Sequence, residues 1–576
     1  MSLRAALKSS PSASHLAFFS TVQTKISLGE TIPGFWEAVE PRRDSITQNR
    51  GSRKVPSFRP QSSEPADAWR ASKYKPTITC PKRRKVLECI LARGKIKAHY
   101  FWDNSLPDVG STDEKPHSLF IDAFLQNSRL DHVTQVMGHH ITYLDIFLRT
   151  QNFILRGDGP LPYDYRHFIA IMAAGRHQCS YLINLQRQEF ILQGGDQAWL
   201  KGLAKIPKKL RDLYEINKIL AHRPWLLNEK HIEKLTKGTD SWSLAEVVHA
   251  IVLLTHFHSL SSFVFGCGVN DELDQHNEPS LAAKQPAPQS AKQPPLTSSQ
   301  NAKQPAPTLT SSQTAKQPPP PTLTSSPNGG GVGVWPPLLT SSPNGAGLWL
   351  NEADSNVGVD TLMQRMKSLS ERTEQFSAEE RAKRFEHVES QSLELLTRSS
   401  VRLKPSIGHF IDDPDFVYED FARRGQSSDI PTFRVHDYSW DDHGYSLVNR
   451  LYNDVGNLLD EKFKTAYNLT YYTMGGRMGV DTSRFRRAIW NYIQCMFGIR
   501  HDDYDYGEVN QLLERSLKAF IKSACCFPER VAKSDYDRVL REFKHSEKVH
   551  VNLMILEARM QAELLYALRA VMRYMT

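Results

Sequence analysis

Cysteine is scarce in this chain of 576 residues. Its seven copies are scattered at positions 80, 89, 179, 267, 495, 525 and 526, with neither the spacing of a metal site nor the density of a disulfide framework. A reducing compartment and no bound metal are expected. Strand-type alternation of apolar and polar residues is also scarce, which argues against a β architecture. No run approaches the roughly 20 consecutive apolar residues that a bilayer span needs. Acids are absent from residues 1–29, where Arg4, Lys8 and Lys25 stand among serines; transit peptides and ordinary basic tails share that composition.

What charge there is lies unevenly. Of the net +9, residues 1–100 hold +12 (19 Lys and Arg against 7 Asp and Glu), which leaves −3 for the remainder. Rich in Ser and Pro, that segment reads as disordered to about residue 115. Within it, Pro81-Lys-Arg-Arg-Lys85 fits a nuclear-import cluster or a solvated charge run equally well, so the expected location is the cytoplasm with the nucleus open. From residue 269 to about 350, AKQPAPQ, AKQPPLTSSQ, AKQPAPTLTSSQ and AKQPPPPTLTSSPNGG recur. Such repeats offer too little apolar surface to offset chain entropy and act as a tether. Leu350 to Leu396 reads as a polar connector with a charged helical stretch at Glu371–Glu394. The resulting plan is a tail (1–115), a helical block (116–268), a linker with connector (269–395) and a second helical block (396–576).

Both blocks carry helical periodicity. Val549, Leu553, Leu556, Met560, Leu564, Ala567 and Val571 recur at spacings of three and four, a core-facing stripe on a helix from about Ser546 to the end. His256 and His258, at i and i+2, face apart and read as a packed helix end instead of a ligand pair. The run Arg166 to Tyr181 reads as helix, with Phe168, Ile171, Met172 and Gly175 toward a core. It sets Cys179 beside Tyr181, with Arg176 and His177 a turn away to favour a thiolate. A thiol there is most often a small core residue; a peroxide-reducing nucleophile is the functional alternative, without a resolving Cys nearby. Asp502-Asp503-Tyr504-Asp505-Tyr506-Gly507-Glu508 packs four acids and two aromatics into seven residues. It is an acidic patch suited to a basic partner, or a solubilising turn.

Two long stretches resemble the sestrin family. His117 to Gly268 carries RHQCSY, EINKILAHRPWL and WSLAEVVHAIVLLTHFHSLSSFVFGCG; Phe410 to Thr576 carries YEDFARRG, DYSWDDHGYSL and RRAIWNYIQCMFGIRHDDYDYGEVNQLLER. The resemblance implies an all-α fold of two related helical-bundle subdomains, alkylhydroperoxidase-like, of which only the first keeps a reactive Cys. It implies a stress-responsive, leucine-sensing inhibitor of target-of-rapamycin complex 1 that binds the second GATOR complex. The different-class alternative is an alkyl hydroperoxide reductase using Cys179 and Tyr181, in which Gln186 stands where the relay His is expected. By the same resemblance Arg486 would hold the carboxylate of L-leucine and Glu547 its ammonium. Thr470, Thr473 and Thr482 would wall the site, and Asp502 and Asp503 would contact the GATOR partner. Leu540 replaces a pocket Trp and Tyr472 a smaller polar residue. No cofactor, nucleic acid or membrane is expected.

Overall fold

The computed structural model describes residues 114–272 and 358–576, apart from short gaps at 128, 239, 373–374, 396–402, 405, 427–429 and 470–471. The basic tail to residue 113, the import-like cluster, the repeat insert from residue 273 and Thr470 lie outside the described residues, whereas residues 269–272 pack on the first block with Val269 and Glu272 buried. The first block carries α1 (Glu114–Asn127), α2 (His132–Met137), α3 (Ile141–Arg156), α4 (Tyr163–Arg176), α5 (Ser180–Leu192), α6 (Lys208–His222), α7 (Glu229–Thr236) and α8 (Leu244–Cys267). After the insert come α9 (Val359–Glu371) and α10 (Ala378–Ser392). The second block carries α11 (Tyr445–Leu451), α12 (Val455–Asn468), α13 (Ser483–Met496), α14 (Gly507–Leu512), α15 (Arg515–Cys526), α16 (Lys533–Arg538) and α17 (His545–Met575). Strands are two residues long: β1 (Phe433–Arg434) pairs in parallel with β4 (Ile499–Arg500), and β2 (Thr473–Met474) forms a hairpin with β3 (Arg477–Met478). The all-α expectation holds.

Helix α8 organises the core. Ser243 and Glu246 close a capping box at its start, each side chain accepting the other's backbone N–H, and Gly268 at φ 65° ends it in the left-handed region. From Val247 to Cys267 every residue except Phe265 is buried. The expectation that no run reaches membrane-spanning length is therefore corrected. Leu244–Cys267 is long and apolar enough to span a bilayer, yet it is enclosed on all sides by this fold.

Its main neighbour is α17, whose seven-residue stripe from Val549 to Val571 is wholly buried. Gly266 permits the close approach, since a methyl group there would collide with the Asn552 side chain. With α3 also packed on α12, the two sequence blocks share one hydrophobic core. Each fully buried Leu, Ile or Phe contributes about 2 kcal/mol through water release, so neither face of this seam is stable in solvent. Charge crosses it too: Tyr143 of α3 donates to Glu557 of α17, which pairs at 3.2 Å with Lys462 of α12, all fully buried.

The connector departs from its polar reading. Helix α9 buries Val359, Leu362, Met366 and Leu369, and α10 buries Phe385 and Val388 against α13 and α14. Their stripes are short, so charged composition hides them.

Candidate functional site

The thiol-bearing run is not one helix. Helix α4 ends at Arg176, Gln178 takes a left-handed φ of 51°, and Cys179 is the first residue of the turn into α5. Breaking the helix there sends the flanking side chains in different directions. Arg176 donates to Tyr214 Oη (3.0 Å) and to the carbonyls of Asp412 and Phe416. His177 turns to Arg559, whose Nη2 lies 2.7 Å from its Nε2. A guanidinium only donates, so His177 Nε2 accepts and the proton sits on Nδ1, which has no partner. Neither side chain thus supports a thiolate, contrary to the expectation from spacing. Burial pushes the Cys179 thiol up to about 12, despite contacts with Leu182 backbone and Ser261.

Tyr181 is committed elsewhere as well. Its hydroxyl donates to Glu272 Oε1 (2.7 Å) and accepts from Val133 N (3.3 Å). Glu272 also accepts from His132 N at 2.8 Å. Gln186 accepts at 2.8 Å from Nδ1 of buried His167, an imidazole reached from α4 and not from α5. His256 and His258 do face apart, but from mid-helix: His256 stacks on Phe147, while His258 bridges Glu563 and Asn217 at 2.8 Å each.

Of the residues that the resemblance assigns to an amino-acid ligand, Thr473, Thr482, Arg486 and Glu547 are described. Arg486 on α13 donates from Nε to Thr482 Oγ1 at 3.1 Å and from Nη1 to the Tyr467 carbonyl. Glu547 lies in the first turn of α17, which packs on α13. Its Oε2 accepts from Lys544 N (2.7 Å) and from Gly475 N (3.1 Å) in the β2–β3 turn. The other oxygen, Oε1, is buried with no hydrogen-bond partner. Gly475 (φ 60°) and Gly476 (φ 82°) supply the left-handed pair that so tight a hairpin needs. At Gly475 a side chain would also strike Val359. Thr473 pairs with Met478 in this hairpin, beside exposed Tyr472. Leu540, at φ 50°, lines an apolar pocket with Phe485, Phe543, Val359, Leu362 and Leu517; neither Arg486 nor Glu547 is in that wall.

The acidic turn is less free than its composition implies. Tyr504 and Tyr506 are buried core residues. Asp502 pairs with Arg500 (2.9 Å) and Arg434 (3.4 Å), Asp503 with Arg487 (2.6 Å), Asp505 with Arg384 (2.9 Å), and Glu508 with Arg484. Partial burial opposes the Asp502 charge, but the arginines outweigh it and hold the carboxylate below its ordinary range. Asp503 keeps 76% of its side chain exposed and is the outward-facing acid of the turn.

Sequence reasoning missed Glu272, Arg559 and Glu563. The last two left a signal, since Arg559 and Glu563 are an i,i+4 charge pair inside an otherwise apolar stripe. A family model described as "PA26 p53-induced protein (sestrin)" matches residues 97–575. A sestrin homolog of Drosophila melanogaster is 56% identical over 464 residues, covering 78% of this chain and 93% of the relative. Sestrin-1 of Xenopus laevis is 48% identical over 520 residues, covering 88% and 99%. Sestrin-2 of Homo sapiens is 50% identical over 466 residues, covering 80% and 87%.

Proposed function

This chain belongs to the sestrin family, and on that premise we propose that it is a stress-responsive leucine sensor of the cytoplasm. In this reading it restrains target-of-rapamycin complex 1 by binding the second GATOR complex. The observation that carries the reading is Glu547 Oε1, a buried carboxylate oxygen without a partner. It stands on a helix packed against the one that carries Arg486. A zwitterion supplies what each end lacks: its ammonium donates to Glu547 and its carboxylate accepts from Arg486. An unpaired buried acceptor costs about 1–3 kcal/mol, which a ligand N–H would restore.

Calorimetric titration of the full chain with L-leucine tests this. Glu547→Gln keeps an oxygen for Lys544 N and Gly475 N while removing the charge. It should therefore weaken binding by about 30-fold or more, the cost of leaving one ionic end uncompensated. Silent titration of the wild type, or equal affinity in the variant, would refute the site. Leucine should also reduce recovery of the second GATOR complex on the immobilised chain. Peroxide reduction by Cys179 is the lesser reading, because the thiol is buried, protonated and without a free relay group.

A further inference from the structure

The three residues that frame Cys179 are each tied by side chain to a distant part of the chain. His177 binds Arg559 of α17, Gln178 Oε1 accepts from Lys404 N (3.1 Å), and Tyr181 donates to Glu272. Gln178 meanwhile holds a left-handed φ that a non-glycine residue keeps only where its surroundings impose it. The turn is under constraint, and the constraint is applied from outside.

Arg559 is the hub. Fully buried, it donates to Glu563 Oε1 (2.8 Å), Ser262 Oγ (2.7 Å), the Ala221 carbonyl (3.1 Å) and His177. These partners lie on α17, α8, the end of α6 and the thiol turn. Ser262 adjoins Ser261, the residue in contact with the Cys179 thiol, so the guanidinium is tied both to the thiol turn and to the stretch of α8 that runs beside the thiol. Glu563 extends the grip through His258 and Asn217 to the Met172 carbonyl of α4, the helix that leads into the turn.

We propose that Arg559 is a clamp on the Cys179 turn, holding the thiol out of reach of small electrophiles and oxidants, so that its accessibility is governed from the C-terminal half. Arg559 is a positioning residue in this scheme and takes no part in chemistry. His177 is the contact through which it acts.

The test is the rate at which N-ethylmaleimide labels each cysteine of the folded full chain, read by peptide mass spectrometry. Wild-type Cys179 should react as slowly as buried Cys495. His177→Leu removes one contact and leaves Arg559 three others; it should speed labelling of Cys179 by about tenfold or more while Cys495 stays slow, the mark of local opening. His177→Gln, whose amide oxygen still accepts from Arg559, should restore protection. Arg559→Met should behave as His177→Leu does, and if it fails to fold the His177 pair still decides. Fast labelling of the wild type, no change in His177→Leu, no rescue by His177→Gln, or parallel acceleration of Cys179 and Cys495 would each overturn the clamp.

Discussion

At Cys179 a nucleophile must be a thiolate, and burial prevents it. With its pKa near 12, fewer than about one thiol in 10⁴ is ionised at neutral pH, far below the share in low-pKa catalytic thiols. Gln186 cannot help, since an amide moves no proton near neutrality. Nor can His177, whose accepting nitrogen is occupied by Arg559. The chain should consume alkyl hydroperoxide no faster than its Cys179→Ser variant at about pH 7.5, as measured by peroxide loss. Brisk turnover that Cys179→Ser abolishes would show that the thiol ionises in a state other than the buried one. Gln186→His should not awaken activity on its own, because the new imidazole would meet His167 and leave the Cys179 desolvation untouched.

The turn before α14 sets the second expectation. Asp503 pairs with Arg487 at the surface, where such a pair contributes about 0–1 kcal/mol, and Asp502 pairs with partly buried Arg500 and with more exposed Arg434. Asp502→Ala with Asp503→Ala should leave the melting temperature within a few degrees of wild type and leave leucine binding intact. On the proposed function it should also abolish recovery of the second GATOR complex; undiminished recovery would remove this turn from the interface. The same turn shows where sequence is legible and where it is not. Its acids were readable from composition, and α17 from its spacing, because local pattern determines both. Their arginine partners were not, since Arg384, Arg434 and Arg487 come from three separate elements and only the fold brings them together. The break at Gln178 was hidden for a related reason: Gly175 falls inside α4 and no Gly or Pro follows it before Cys179, while the backbone that holds the Gln178 side chain, at Lys404, lies far along the chain. Helices α9 and α10 were half legible, their charge visible and their short buried stripes not.

The fold as a whole stores many neutral imidazoles. His140 and His249 are lowered to about 3 and His501 and His550 to about 4, in each case chiefly by burial. His177, His222 and His256 are likewise driven well down. Because these folded-state values lie below the unfolded value of about 6.5, the stability they supply is complete above that pH. It is lost as pH falls from there toward the folded values. Glu389 and Glu529, raised to about 7 by burial, act in the opposite sense: they favour the fold below about pH 4.5 and lose that contribution as pH rises through 7. The histidines outnumber them, so the balance near neutrality is set by imidazoles. The melting temperature should therefore fall by about 5 °C or more between pH 7.5 and 5.5, as followed by circular dichroism. A flat or rising profile would mean that the two carboxyls dominate. His256 offers the sharpest form of the test. Both its ring nitrogens are buried without partners while the ring stacks on Phe147. His256→Phe keeps the stack and removes two unsatisfied polar atoms. It should thus raise stability by about 1 kcal/mol at pH 7.5 and by more at pH 5.5, because the variant has no imidazole there to protonate on unfolding. Equal gains at both pH values would mean that His256 does not share in the acid sensitivity.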